Sequence, residues 1–505
     1  MASPIEDDVF ERLRQKPDPA EEQKREQEFN DRLHAQYQKS QSRLFEIIDD
    51  NTTRPTTISE IRVLHASHTR RDFLERIFNP LLSANRDGPY TLAEALADVS
   101  NATNKLQRFD IFKNPISIYL DKPDPADPST SPTDIAIYIS AQERGAYTIK
   151  TGTEVGHSEG NAFVNAQLRN LFGGAESLNA HASLGTRTRS AYSVGFDTPI
   201  NSNPDLRFQL NGIASSTLKS WASHEEVVKG GDTKLRWLTP GGHQHEVGYS
   251  GIWRQVTGLA SNASPTVRND AGDSFKSSIS HTWTKDERDY PLLPNRGYLL
   301  KTVSELAGFG PLKGDVAFGK LQAETQAALP LGSGITFTAG LRGGLLYPLA
   351  LGSSSNPAPL SSRINDRFQL GGPTDVRGFR IGGLGPRDGP DAVGGDVFAA
   401  GGASLLFPIP RLGAETPLRV QAFINGGRLL ALKGKGKDGS DSTLGSMQRT
   451  LGALKDGLPS CAAGLGLVYA HPVARFEVAF SLPLVQRRGE AGRKGVAFGV
   501  GIEFL

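Results

Sequence analysis

Short segments in which apolar and polar residues alternate run from about residue 146 to the C-terminus. In NAFVNAQLRN, Ala162, Val164 and Leu168 fall on one face of an extended chain, while Asn165 and Arg169 fall on the other. The same period of two recurs in DLRFQLN, LRVQAFIN, VARFEVAFSL and RKGVAFGVGIEFL, with glycine, asparagine, aspartate and proline between the segments. This pattern predicts many antiparallel strands, each with one apolar and one polar face.

Two architectures fit such strands, a water-soluble β fold and a transmembrane β-barrel. A soluble fold would have more lysine and glutamate on its polar faces and more valine, isoleucine and leucine inside. Here many apolar positions are alanine or glycine, and single charges stand opposite continuous apolar rows. At roughly 22 residues for each strand with its connection, residues 146–505 accommodate about 16 strands, an even number that suits a closed barrel. The pattern therefore favours the membrane barrel.

Residues 46–145 have a different pattern, which predicts a small α/β module. IRVLH is a short strand, and the next segment, DFLERIFNPLL, has its apolar residues on one helical face. Thr91 and Glu94 form a capping box at the start of a second helix. The segments PISIYL and DIAIYIS then alternate as two strands. The predicted order is strand, helix, helix, strand, strand.

Residues 1–45 are dense in charged residues and glutamine, and Phe29, Leu33 and Tyr37 recur there at helical spacing. A disordered tail and a docking helix both remain open for this arm. Its first residues, MASPIEDDVFERLRQ, do not follow a basic start with an apolar core, so no secretory signal is expected. The early acidic residues also argue against a cleaved organellar presequence. Either the chain stays in the cytosol or an internal signal addresses it.

Composition excludes several classes of function. A net charge of +2 gives no indication of a nucleic-acid partner. Cys461 is the only cysteine, so a disulfide framework and a thiolate metal cluster are excluded, and we expect a small buried side chain there. The sequence has no P-loop, HExxH or GxSxG motif, and we predict neither enzymatic activity nor a cofactor or metal. His243 and His245, in GGHQHE, are expected in a solvated loop.

One glycine-rich stretch, GGPTDVRGFRIGGLGPRDG, fits neither a helix nor a strand interior, although it carries an arginine and bulky apolar residues. With the preceding DRFQL, it resembles the sixth outer loop of the outer-membrane insertase superfamily, whose members join POTRA domains to a 16-stranded barrel. In that superfamily the loop folds back into the barrel lumen and carries an Arg-Gly-Phe or Arg-Gly-Tyr tip. The matching residues here are Gly371, Gly372, Arg377, Gly378 and Phe379.

A second stretch, DERDYPLLPNRGY, also resembles the superfamily. Its matching residues are Asp286, Arg288, Asp289, Pro294 and Gly297. The α/β module resembles a single POTRA domain. The resemblance therefore implies a charged arm over residues 1–45, a POTRA domain over 46–145, and a 16-stranded transmembrane barrel over 146–505 with a lumenal loop at 371–390.

The resemblance also implies a partner for Arg377, because the family's loop arginine meets an acidic group on the inner wall. Where relatives often have Phe-x-Asp-x-Gly, this chain has Phe423 to Gly427, with Asn425 in the acidic position. Asn425 can accept a hydrogen bond but has no charge. Glu477 lies on the polar face of a neighbouring segment and is the alternative partner.

Within the superfamily, the chain resembles the central barrel subunits of the mitochondrial sorting and assembly machinery. It has one POTRA-like module, and its C-terminus approximates the mitochondrial β-signal through Gly499, Ile502 and Phe504, with Ala497 in the polar position. This resemblance implies an insertase in the mitochondrial outer membrane with its POTRA domain in the intermembrane space. The alternatives are a protein-translocating pore of the same superfamily and, less favoured, a passive porin.

An insertase of this kind implies a lateral gate between the first and last strands, where the β-signal of a precursor pairs. The residues expected at this gate are Tyr147, Ile149, Thr151 and Thr153 in the first strand and Val496, Phe498, Gly499, Gly501, Ile502 and Phe504 in the last. The implied partners are β-barrel precursors, the lipid bilayer, peripheral metaxin-like subunits on the cytosolic face, and an inner-membrane organising complex.

Overall fold

A computed structural model describes residues 29–501, apart from positions 30, 34, 37, 40–41, 44–45, 89, 124–127, 129, 157–158, 350–361, 410–415, 433–442 and 473. Tyr37, Ile502 and Phe504 lie outside the described residues. The described residues fall into two compact units, one within Met1–Ser67 and Arg71–Arg144, the other within His68–Arg70 and Gly145–Leu505. Those from 29 to 50 are helical, and Phe29 and Leu33 there are exposed.

The first unit is an α/β module whose described elements surround a small core. They are β1 Pro55–Leu64, α1 Arg71–Phe78, β2 Tyr90–Thr91, α2 Leu92–Gln107, β3 Ser117–Asp121 and β4 Asp134–Ser140. The sheet has the order β2–β1–β4–β3, with β1 and β4 parallel. The predicted order of strands and helices is present, with one addition. The extra strand, β2, has only two residues and is too short to leave a periodic signal.

The start of α2 is fixed by the predicted capping box. The Thr91 hydroxyl accepts a hydrogen bond from the Glu94 N–H at 3.3 Å, and the Glu94 carboxylate accepts one from the Thr91 N–H at 3.2 Å. These bonds satisfy backbone donors that the first turn of a helix leaves without partners. Val99 and Leu106 on the inner face of α2 are fully buried, as is Ile139 in β4.

The second unit is built on one large antiparallel sheet, which contains sixteen strands among the described residues. The strands of this unit are β5 Tyr147–Gly156, β6 Glu159–Arg169, β7 Ser177–Gly185, β8 Thr188–Pro199, β9 Leu206–Lys219, β10 His224–Leu238, β11 His243–Thr257, β12 Gly272–Asp286, β13 Gly297–Ala307, β14 Phe318–Gly332, β15 Ile335–Pro348, β16 Arg387–Asp388, β17 Asp391–Ala392, β18 Val397–Pro408, β19 Leu418–Leu430, β20 Ser460–Ala470, β21 Arg475–Val485 and β22 Gly495–Gly501. Each strand of the large sheet pairs with its sequence neighbour, except that β16 and β17 form a separate ribbon, so β15 pairs with β18. The connections of this unit include two helices, α3 Pro265–Asn269 and α4 Thr443–Lys455.

The alternation of apolar and polar residues along each strand gives the large sheet an apolar outer face and a more polar inner face. In β21, Val478, Phe480 and Leu482 are exposed, whereas Glu477 and Ser481 are buried. Exposed apolar rows suit contact with lipid, and the buried polar residues lie on the inner face. In the described part of the chain, no helix has the length and apolar character needed to cross a bilayer.

Two expectations from the sequence were wrong. His243 and His245 belong to β11, because a short turn at residues 239–242 closes the β10–β11 hairpin before them. Their rings stack on the indoles of Trp283 and Trp237, with centroids 5.8 Å and 5.1 Å apart. Cys461 is only partly buried, because it lies on the face of β20 opposite to the buried Ser460 and Ala462.

Candidate functional site at the lumenal loop and the barrel seam

The glycines of the lumenal loop, residues 371–390, have backbone angles that other residues rarely adopt. Gly371, Gly372 and Gly378 have φ values of 106°, 143° and 83°. Gly378 also approaches the barrel wall closely, because a Cβ atom there would lie 2.6 Å from the Cβ of Ala462 in β20. Glycine is therefore required immediately after Arg377 by both conformation and space.

Arg377 lies against the inner wall and contacts Glu477 of β21. Its Nε lies 2.5 Å from Glu477 Oε1, and its Nη2 donates a hydrogen bond to Oε2 at 3.1 Å. Both side chains are 2% exposed. The guanidinium carbon also lies 4.7 Å from the ring centroid of Phe423 in β19, within the range of a cation–π contact. This two-pronged contact joins the tip of the loop to the wall.

The Glu477 carboxylate also contacts a second guanidinium, that of Arg475, which was not predicted from the sequence to belong to the site. Arg475 Nη2 donates to Glu477 Oε2 at 3.2 Å and to Gln421 Oε1 at 3.4 Å. Gln421 in turn donates to the Ser404 hydroxyl at 2.8 Å. The only available signal was the spacing of Arg475 and Glu477, which puts both on the polar face of one strand.

Asn425, the other predicted partner, does not contact Arg377 through a hydrogen bond. Its side chain is 2% exposed, and neither its oxygen nor its nitrogen has a hydrogen-bond partner among the described residues. The carboxylate that meets the loop arginine therefore comes from β21, two strands away from Asn425 in β19.

The tip of the lumenal loop also pairs with the connection between β21 and β22. Arg493 N donates to Gly378 O at 2.8 Å, and Arg380 N donates to Ala491 O at 3.0 Å. Phe379 is 3% exposed and belongs to a core cluster with Val376 and Leu384 of the same loop. The loop is thus packed next to the last strand of the barrel.

Carboxylates anchor the rest of the loop region to other connections and strands. Asp375 forms an ion pair with Arg342 of β15 and accepts a hydrogen bond from Gly371 N at 2.6 Å. Asp388 accepts two hydrogen bonds from Thr266 of α3, through the hydroxyl at 2.7 Å and the N–H at 3.0 Å. These bonds lower the pKa of Asp388 below its usual value. The sequence has no signal for these partners, because they come from distant connections.

Just past this region, Asp391 Oδ2 accepts a hydrogen bond from Ser264 N at 2.7 Å, and its Oδ1 accepts one from the Ser223 hydroxyl at 2.5 Å. Ser223 and Ser264 belong to the connections that follow β9 and β11. The loop region therefore makes contacts both with the wall at β21 and with the connections that follow β9 and β11.

The second family-like stretch forms the β12–β13 connection. Arg288 forms an ion pair with Asp286 at 2.8 Å and donates to Gln326 of β14 at 2.8 Å. Asp289 Oδ1 accepts backbone hydrogen bonds from Tyr290, Asn295 and Arg296. Burial raises the pKa of Asp289, but these N–H groups outweigh that effect, and the net shift is downward.

Two further members of this stretch shape the turn. Gly297 has a φ of 101°, and a Cβ there would lie 2.2 Å from Glu287 O. Pro294 lines a small pocket together with Arg288, Leu292 and Gln421. The glycine and proline of this stretch therefore suit a tight turn folded against the strands.

The first and last strands form a seam, defined here as the boundary between β5 and β22. The large sheet begins with β22 and ends with β5, and no ladder joins these two strands among the described residues. They nevertheless approach each other, since Cα atoms of β5 and β22 come within 8 Å. Tyr147 and Ile149 of β5 and Val496 and Phe498 of β22 are exposed on the outer face.

The chain matches the Omp85 superfamily domain over residues 170–504. A SAM50-like protein of Schizosaccharomyces pombe is 38% identical over 92% of this chain and 94% of its own length. This chain belongs to the SAM50 family of the Omp85 superfamily. The human sorting and assembly machinery component 50 homolog is 32% identical, over 82% of this chain and 84% of its own. These relatives confirm the resemblance inferred from the loop and turn motifs.

A solved structure confirms the fold of this SAM50 family member. BamA from Haemophilus ducreyi, in a form lacking POTRA domains 1–3, has a TM-score of 0.69 over 88% of this chain and 84% of that one. Sequence identity is only 15%, so this similarity speaks for the fold alone. The sixteen-stranded membrane barrel and the α/β module that precedes it agree with the prediction.

Proposed function

We propose that this SAM50 family member folds β-barrel precursors and inserts them into the mitochondrial outer membrane, by pairing an incoming strand at the seam between β5 and β22. Family membership and the shared barrel support the insertase role. The observation that supports strand insertion at the seam is that β5 and β22 approach each other but do not form a ladder of backbone hydrogen bonds among the described residues.

Strand pairing supplies the chemistry of this mechanism. The edge of a sheet has N–H and C=O groups that can bond to another extended chain, which is β-augmentation. Gly495, Gly499 and Gly501 weaken β22 as a permanent partner for β5, because glycine costs conformational entropy and adds no cross-strand packing. A precursor strand with better side chains would compete for the β5 edge. No covalent bond is made and no nucleotide is consumed.

We assign a positioning role to Arg377 and the lumenal loop. The contact with Glu477 holds the loop on the wall immediately before β22, and the loop tip pairs with the β21–β22 connection. A fixed connection at one end of β22 lets that strand separate from β5 without losing its register on β21. The gate residues of both strands would then line the opening.

The proposed setting follows from the family. The barrel spans the outer membrane, and the α/β module acts as a POTRA domain in the intermembrane space. Metaxin-like subunits on the cytosolic face and an inner-membrane organising complex are the proposed partners. The competing function within the superfamily is a pore that passes unfolded chains through the lumen.

Import into isolated mitochondria depleted of this protein tests the function. A labelled porin precursor and a labelled matrix precursor are followed in parallel, and re-expression of the wild-type chain is the control. We expect porin assembly to fail while matrix import continues. Equal failure of both precursors would support a general pore instead, and unchanged import of both would refute the insertase.

A disulfide lock tests the seam. In a Cys461→Ser background, cysteine pairs take one position from 147–153 and one from 496–501, and oxidation should block porin assembly until a reductant is added. The control pair replaces Phe480 and Val496, which already face each other across the β21–β22 ladder. Oxidation of the control pair should leave assembly intact. Normal assembly with a fully locked seam would contradict lateral insertion.

A further inference from the structure

The free edge of β5 is formed by alternate residues of that strand. Arg169 N of β6 donates to Ala146 O at 2.6 Å, which makes these two residues a hydrogen-bonded pair at the start of the antiparallel β5–β6 ladder. Every second residue from Ala146, including Lys150, therefore directs its backbone N–H and C=O to β6. The residues between them direct these groups to the seam, and they are Tyr147, Ile149, Thr151 and Thr153.

The side chain of Lys150 lies on the inner face of β5. Tyr147 and Ile149 are exposed on the outer face, and side chains alternate along a strand, so Lys150 lies on the other side, opposite Asn165 of β6. A residue whose backbone bonds to one neighbouring strand forms a non-hydrogen-bonded pair across its other edge, and the side chains of such pairs come closest together. A strand docked at the seam would therefore place an inner-face side chain directly against Lys150.

The ammonium group of Lys150 is available for such a contact. The residue is exposed, and within the described part of the chain no side chain forms an ion pair or a hydrogen bond with it. The flanking inner-face residues of β5 differ from it in this respect. The Thr148 hydroxyl accepts a hydrogen bond from Arg169 Nη1 at 3.2 Å. A Cβ atom at Gly152 would lie 2.9 Å from Cζ of Phe163, so an aromatic ring already covers that position.

The last strand does not supply an acceptor for this charge. Its inner-face residues are those that lie opposite the inner-face residues of β21, as Gly499 lies opposite Glu477. Over the described strand they are Gly495, Ala497, Gly499 and Gly501. None of these four residues has a polar side chain. When β22 approaches β5, it therefore offers the Lys150 ammonium group no cross-strand partner.

We propose that Lys150 sets the register of an incoming precursor strand by binding a side-chain oxygen, preferentially that of a carboxylate, on the lumen-facing side of the strand. This inference rests on the proposed insertion at the seam and adds a residue that recognises the precursor. An oppositely charged cross-strand pair is more stable than a pair without charges. A precursor with such an acceptor gains an interaction that β22 lacks, and a slip of one residue would turn its apolar face toward Lys150.

Disulfide mapping in isolated mitochondria identifies the precursor residue opposite Lys150. In a Cys461→Ser background, Lys150→Cys or Ile149→Cys is combined with a labelled, otherwise cysteine-free porin precursor that carries single cysteines scanned through its last strand. We expect Lys150→Cys to cross-link most strongly at a position whose native residue is aspartate, glutamate, asparagine, glutamine, serine or threonine. A basic, apolar or glycine residue there would overturn the proposal while leaving insertion at the seam intact. No adduct from either variant would refute docking at β5, and the proposal with it.

A charge exchange tests the interaction itself. Lys150→Glu should slow assembly of the native porin precursor about fivefold, because it offers an acceptor in place of a donor, whereas Lys150→Arg should keep the wild-type rate. A precursor with lysine at the cross-linked position should assemble faster with Lys150→Glu than with the wild type.

The matched control is Lys494→Glu, which reverses an exposed charge in the β21–β22 connection and should not change the rate for either precursor. Heat-dependent gel mobility checks that each variant is folded. Equal rates for Lys150→Glu and Lys494→Glu with the native precursor, or no recovery with the exchanged precursor, would overturn the proposal.

Discussion

Arg377 and Glu477 are separated by 100 positions in the chain and form an ion pair in which both side chains are 2% exposed. The pair links a glycine-rich loop to a strand of the wall that encloses it. Taking both charges out of water costs free energy that their attraction largely offsets, so the net stabilisation is small. In such a buried pair, loss of one partner is costly to the extent that the remaining charge has no other compensation.

Because Arg377 and Arg475 share the Glu477 carboxylate, we expect loss of Glu477 to destabilise the protein more than loss of Arg377 does. Glu477→Gln removes the carboxylate that both Arg377 and Arg475 contact, and we expect it to lower the free energy of unfolding by about 3–5 kcal/mol. Arg377→Gln should cost less, because Arg475 still faces Glu477 at 3.2 Å. Urea unfolding of the protein in lipid vesicles, followed by tryptophan fluorescence, measures the difference. Arg488→Gln is the exposed control, and a larger loss for Arg377→Gln than for Glu477→Gln would contradict the shared role of the carboxylate.

Substitutions at Gly378 and Gly389 distinguish the cost of an unfavourable backbone conformation from the cost of a steric clash. Both have positive φ, 83° and 57°, but a Cβ at Gly378 would lie 2.6 Å from Ala462 Cβ, whereas one at Gly389 would meet nothing within 4 Å. Gly389→Ala should cost about 1 kcal/mol from conformation alone. Gly378→Ala should cost more and should loosen the loop tip. Limited proteolysis of the folded protein reports on the loop, and equal cleavage of the two variants would show that the close approach is unimportant.

Asp289 should make the stability of the β12–β13 connection depend on pH. Its pKa is lowered in the folded state, so its contribution is fully present above the pKa of the unfolded chain and is lost as the pH falls through the folded value. The difference in melting temperature between the wild type and Asp289→Asn should be constant from about pH 8 to about pH 5 and should shrink below about pH 4. A difference that grows as the pH falls would show that the sign is wrong.

Thr91→Ala tests the capping box in the α/β module. The substitution removes the acceptor for Glu94 N and should destabilise the start of α2 by about 1 kcal/mol. Hydrogen exchange of the full-length protein should be faster at residues 92–95 than in the wild type. Ser100→Ala, at an exposed position within α2, is the control and should not accelerate exchange there. Unchanged protection after Thr91→Ala would mean that packing alone fixes this end of the helix.

The sequence predicted most of the fold because the relevant signals are local. An alternation of period two marks strands that have one face on lipid and one on the lumen, and it was readable in β6, β9, β19 and β21. The capping box marked the start of α2 through residues only three positions apart. The loop and turn motifs indicated the family. Their glycines and prolines are required by backbone angles that few other residues adopt.

The sequence of a single segment predicted its structure less well where pairing with a neighbouring strand determines that structure. His243 and His245 follow a pair of glycines, which favoured a loop, yet pairing with β10 and β12 extends the strand through both histidines. Cysteine is a residue type that is usually buried, but Cys461 occupies the face of β20 opposite to the buried Ser460 and Ala462 and is partly exposed.

The sequence by itself determined the kinds of element, their order, and the loop arginine that must meet an acceptor. Only the tertiary structure decided that the acceptor is Glu477, that Arg475 shares it, and that the β21–β22 connection holds the loop tip. The physical reason is that strand periodicity fixes which face a side chain occupies, whereas the register of the sheet and the path of the loop decide which distant side chains meet in the lumen.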